Sequence, residues 1–71
     1  MRYQMTPLQT SVIQRLRAKD CPHLADMFES SWVRGESLPM RTTEVPQRLH
    51  GQLIPDIKRA NQEAPLLKAE L

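Results

Sequence analysis

Cys21 and His23, with Asp26 three positions beyond, come nearest in type and spacing to chemistry in this 71-residue chain. A thiol at a helix start has a lowered pKa and reacts more readily for it. With His23 and Asp26 it would make part of a metal site. Zinc, however, takes four protein ligands, or three and a water, in familiar spacings. The chain has no CxxC, no HxxxH, and a second histidine only at His50. A Cys–His pair also lacks the third group that would orient the base. The carboxylates (Asp20, Asp26, Glu29, Glu36, Glu44, Asp56, Glu63 and Glu70) are scattered. Each has a plain role as cap, helix-start charge or solvated surface. A catalytic pair needs a cleft that pulls two carboxyl pKa values apart. Gly35 and Gly51 are the only glycines and cannot form a phosphate loop. The residues therefore point to a non-catalytic protein with no cofactor, no metal and no small-molecule substrate.

The elements that would position these groups are helical. Apolar residues recur at helical spacing, without the alternation of a half-buried strand. Three segments stand out. The first runs from Pro7 to about Lys19, capped by Thr6, with Pro7 in the first turn where its missing N–H costs nothing. Leu8, Val12 and Leu16 form its stripe, widened by Ile13, and Arg15, Arg17 and Lys19 suit its C-terminal dipole. The second runs from Pro22 to about Arg34, capped by Asp20 or Cys21 and stopped at Gly35. Leu24, Met27, Phe28 and Trp32 form its inner face. The short gap between the two makes a helical hairpin or a sharp corner. Residues 35–42 read as a loop from which Leu38 and Met40 tuck inward. The third segment runs from Glu44 to about Ile54, with Thr43 as cap, Pro46 in the first turn and Val45, Leu49 and Leu53 inward. Pro55 kinks or ends it, and residues 56–64 restart as a short helix with Ile57 facing the core. The expected fold is an all-α, small three-helix domain over residues 1–64: a helical hairpin plus a third, proline-flanked helix. Residues 65–71 follow as an apolar tail or last helical turn.

A single domain this short buries only about 60% of the surface its unfolded chain exposes. Such domains usually want a staple or a partner. Cys21 is the sole cysteine, so no disulfide can form within the chain. Self-association or a host complex is the expectation. One cysteine and no apolar run long enough for a membrane span read as a soluble, cytoplasmic protein without membrane contact.

Two surfaces remain. Thr42, Thr43, Gln47, Arg48, His50 and Gln52 are residue types that read base edges and phosphates. Arg41, Lys58 and Arg59 flank them and would add phosphate contacts. The bland reading is an ordinary solvated helix face. The second surface is apolar: Trp32, Leu38, Met40, Leu66, Leu67 and Leu71 would dock on a protein partner. Trp32 lies four residues after Phe28 on one helix face, so it is most simply core, with an interface role as the alternative. The net charge of +2, from ten basic and eight acidic residues, permits nucleic acid without demanding it.

Two fragments resemble small helix-turn-helix regulators. Met5-Thr6-Pro7-Leu8-Gln9, with Val12, Ile13 and Leu16, is similar to the first helix of winged-helix regulators. Thr42-Thr43-Glu44-Val45-Pro46-Gln47-Arg48-Leu49, with Leu53, resembles their recognition helix. The resemblance implies base reading by Thr43, Gln47 and Arg48. Trp32-Val33-Arg34-Gly35-Glu36-Ser37-Leu38-Pro39 is similar instead to the end of the recognition helix in phage-repressor-like domains. The chain between Phe28 and Thr43 is longer than the motif's three- or four-residue turn. Two functions are therefore expected of such a chain: DNA binding through the third helix for transcription or replication control, or inhibition or adaptation of a larger protein through the apolar surface.

Overall fold

A computed structural model describes residues 3–38 and 42–63. The described residues form three α-helices and two short 3-10 turns, with no strand. The chain is a small all-α domain, as its apolar spacing requires.

Helix α1 spans Pro7–Ala18. Thr6 holds extended backbone and its hydroxyl accepts the Gln9 N–H at 3.1 Å. Gln9 returns the bond: its Oε1 accepts the Thr6 N–H at 2.9 Å. This capping box satisfies a helix-start donor and fixes the entering chain. Gln9 is 1% exposed, and its Nε2 donates to the Ala60 carbonyl at 2.8 Å. The inner stripe of α1 is thus Gln9, Val12, Ile13 and Leu16, while Leu8 is only partly covered.

Helix α2 spans Pro22–Trp32, two residues shorter than its spacing suggests. Its N-cap is Cys21, whose side chain makes no capping bond; the thiol donates weakly to the Lys19 carbonyl at 3.6 Å. Asp20 instead takes the left-handed position at the end of α1, with φ of 64°. Cys21 N–H reaches back to Leu16 and Asp20 N–H to Arg17. Asp is one of the few non-glycine residues that accept this conformation. Gly35 repeats the motif after α2: Glu36 N–H bonds Ser31 and Gly35 N–H bonds Trp32, with Gly35 at φ of 74°. The Tyr3 ring lies on this glycine, 2.5 Å from where a Cβ would sit. No other residue fits there.

The third helix departs from its expected position. Thr42–Glu44 and Gln47–Leu49 form separate 3-10 turns, and helix α3 spans His50–Glu63. Pro46 between the turns is extended, at φ −52° and ψ 135°, and its carbonyl accepts the Leu49 N–H at 2.8 Å. A residue before proline is pushed away from helical backbone. That residue is Val45, β-branched and buried at 4% exposure, so helix cannot start at Glu44. At the other end α3 continues past Pro55 and does not end there. Interior proline costs about 3 kcal/mol. Ile57 and Ala60, two and five residues beyond it, are fully buried. Burying an isoleucine alone returns about 1.5–3 kcal/mol. The crowded carbonyl belongs to Gly51, four residues back and exposed, where it can tilt toward water.

Helix α1 is the hub, packing α2 on one side and α3 on the other. Val12, Ile13 and Leu16 meet Leu24, Phe28 and Trp32 from α2 and Leu49, Leu53 and Ile57 from the third segment. Phe28 and Trp32 pack with ring centroids 5.1 Å apart. Asn61 closes the far end. Its Oδ1 accepts the Trp32 indole N–H at 2.9 Å and the Leu38 N–H at 3.1 Å, and its Nδ2 donates to the Leu38 carbonyl at 2.8 Å. No helix among the described residues is long and apolar enough to cross a membrane.

Candidate functional site

The residues expected to read DNA do not share one helix face. Thr43 lies on the first 3-10 turn, Gln47 and Arg48 on the second, and Lys58 and Arg59 in the last half of α3. All five are exposed. Arg41 lies outside the described residues. From Arg48 to Lys58 is ten residues, or about 15 Å of helix rise. Between them sits Asp56, whose Oδ2 takes the Arg15 guanidinium at 2.7 Å and whose Oδ1 lies 3.9 Å from Arg59. Arg48 and Lys58 have no acid partner among the described residues.

The charge of the described body balances. Residues 3–38 carry four bases (Arg15, Arg17, Lys19, Arg34) and four acids (Asp20, Asp26, Glu29, Glu36). Residues 42–63 carry three bases (Arg48, Lys58, Arg59) and three acids (Glu44, Asp56, Glu63). The net +2 comes from Arg2, Arg41 and Lys68 less Glu70, all outside the described residues. Helix α2, the partner across the tight corner, shows solvent His23, Asp26 and Ser30 and no base. Arg17 reaches over from α1 to Asp26 and Glu29, at 2.9 Å each. Those two carboxylates, Asp26 first, raise the guanidinium above its ordinary pKa.

The apolar residues expected to meet a partner are also divided. Trp32 is 0% exposed with its indole N–H bonded, so it belongs to the core and is not available to a partner on the folded surface. The two roles were open because a Phe–Trp pair at helical spacing serves either. Leu38 is partly buried, its backbone held by Asn61. Met40, Leu66, Leu67 and Leu71 lie outside the described residues.

A different apolar surface is present. An open groove of about 580 Å³ lies between the start of α2 and the first two turns of the third segment. Its walls are Cys21, Pro22, Leu24 and Met27 on one side and Pro46 on the other, with Asp20, His23 and Glu44 at the rim. No lysine or arginine among the described residues lines it. The volume matches sites that enclose small organic bodies, about 300–1,000 Å³. Sequence spacing gave no sign of it, because Met27 and Pro46 are nineteen residues apart and meet only once Pro46 turns extended. Cys21 lies in the wall with 8% exposure, its thiol turned to a backbone carbonyl. No group of three His, Cys, Asp or Glu side chains among the described residues could hold a metal ion. No family profile, curated protein or solved structure matches the chain.

Proposed function

We propose that this chain is a small non-catalytic binding module, an inhibitor or adaptor that docks a protein partner in the groove beside Met27 and Pro46. The groove carries the reading. Among the described residues it exposes apolar wall without a ligand-fixing cation, and their charges cancel within the chain's mild net +2. Such a surface gains by excluding water against another apolar surface. The reducing cytoplasm is its place, since the lone thiol of Cys21 then stays reduced. A photo-crosslinking residue at Met27, used in the source cells, tests this. One stoichiometric adduct that survives nuclease and disappears with Pro22→Glu, a change at an exposed groove residue, is expected. Adducts to nucleic acid, or none, would overturn the reading.

A second reading keeps DNA as the partner, in transcription or replication control. It is favoured by the exposed Gln47 and Arg48 on the 3-10 turn before α3 and by Lys58, which has no acid partner among the described residues. Arg48, Lys58 and Arg59, with Arg41, offer at most four phosphate contacts. The slope of log K against log salt would then be no steeper than about −4, and non-specific affinity correspondingly weak. A mobility shift of duplex DNA at low salt, lost with Arg48→Ala, would move this reading ahead of the first.

A further inference from the structure

We infer that the partner enters the groove as a segment in which lysine or arginine flanks an apolar side chain, the apolar group between Met27 and Pro46 and the cations against Asp20 and Glu44. This gives the chemistry of the partner in the protein-docking reading and rests on it.

Three observations lead there. First, the groove leaves apolar atoms in water. Leu24 and Cys21 are only 7% and 8% exposed, but Met27 and Pro46 are half-buried and Pro22 is exposed. An apolar side chain between these walls would exclude that water. A groove of about 580 Å³ takes side chains of one segment rather than the face of a domain. Second, the rim is acidic on both sides. Asp20 stands just before α2 and Glu44 ends the first 3-10 turn, and both are exposed. Lys19 precedes Asp20 in sequence but does not line the groove. Third, the charge of Asp20 is available. Asp26 and Glu29 both pair with Arg17 at 2.9 Å, and Glu36 pairs with Arg34 at 3.4 Å. The Asp20 carboxylate has no hydrogen bond or ion pair among the described residues. Its backbone closes the corner instead, through the N–H bonded to the Arg17 carbonyl. A phosphate chain or an acidic segment would meet like charge at both sides of this groove, and such juxtaposition suppresses wrong partners. Exposed ion pairs add little affinity, so the apolar side chain anchors the segment and the cations select it.

Selection of random peptides displayed on phage against the immobilised full chain tests this. Enriched peptides should carry a leucine, methionine or aromatic residue flanked by lysine or arginine. A synthetic peptide of the enriched sequence, titrated into the isotope-labelled chain, should shift the backbone amide resonances of Leu24 and Met27. Serine in place of its apolar residue should abolish the shifts. Asp20→Asn combined with Glu44→Gln removes both rim charges and leaves the groove walls. Asparagine also accepts the left-handed backbone that position 20 holds. The double variant should bind the peptide about fivefold more weakly at low salt, the sum of two exposed pairs. The gap should close at high salt. Selection against the variant should still enrich the apolar residue and lose the basic flanks. If the double variant loses helicity, Asp20→Asn alone carries the test. Acidic or uncharged flanks, no enrichment at all, an affinity indifferent to the rim charges, or shifts away from the groove would each overturn the inference. Where one of these occurs and the Met27 crosslink to a protein persists, the inference falls and the docking reading stands. Where the crosslink is absent as well, both fall.

Discussion

The hairpin of α1 and α2 and the segment leading through α3 obey local rules to very different degrees. At the hairpin the local signals are realised where they stand, except that α2 has no side-chain cap and stops two residues early. Thr6 caps α1, Pro7 and Pro22 occupy first turns, and Gly35 takes positive φ after α2. In the third segment the local signals are overruled. Thr43 does not cap the helix, Pro46 is extended rather than helical, and Pro55 is passed. A cap or a C-terminal glycine satisfies bonds within one turn, so nothing distant competes with it. An interior proline imposes a finite cost, which burial of residues beyond it can offset. Sequence rules for starting helices are therefore sharper than those for breaking them.

Gln9 is where the two regions meet, and its removal should have the largest effect. Gln9→Ala leaves the buried Thr6 N–H without its side-chain acceptor and removes the bond to the Ala60 carbonyl. The unpaired N–H costs about 1–3 kcal/mol and the lost bond about 1 kcal/mol more, so the domain should lose about 2–4 kcal/mol in urea denaturation. A loss below about 0.5 kcal/mol, within the range of ordinary surface changes, would mean that α1 and α3 are not joined through this side chain.

The override at Pro55 is tested by Pro55→Ala, which returns an N–H to the Gly51 carbonyl and should stabilise the fold by about 1–2 kcal/mol. Gly51→Ala has open space for its Cβ. It should add up to about 1 kcal/mol on the Pro55→Ala background and less on the wild type, where the crowded carbonyl needs glycine freedom. Equal gains on both backgrounds would show that Gly51 does not serve Pro55. The smallest effect is expected at the hairpin corner. Asp20→Gly relieves left-handed backbone and should raise stability by about 0.5–1 kcal/mol, readable as a higher thermal midpoint. A decrease would mean that the Asp20 side chain contributes more there than its backbone strain costs.

Val12, Leu16, Leu24, Phe28, Leu49, Leu53 and Ile57 are all core, and periodicity alone picks them out. Gln9 and Asn61 escape such a reading, because a buried amide resembles a solvated one in sequence. Their partners Ala60, Trp32 and Leu38 lie twenty-three or more residues away. The polar surface around Gln47 and Arg48 was legible as exposed residues but not as two 3-10 turns, since Pro46 was compatible with a first helical turn until Val45 was buried.

The sequence by itself determined the helical class, the cap of α1, the glycine turn after α2 and the lack of a cysteine pair. These are matters of neighbours within one or two turns. Only the tertiary structure decided that α3 starts at His50 and continues through Pro55, that Trp32 is core, and that Met27 faces Pro46 across a groove. Those outcomes depend on burial shared between distant segments, whose energy exceeds the local preferences it overrides.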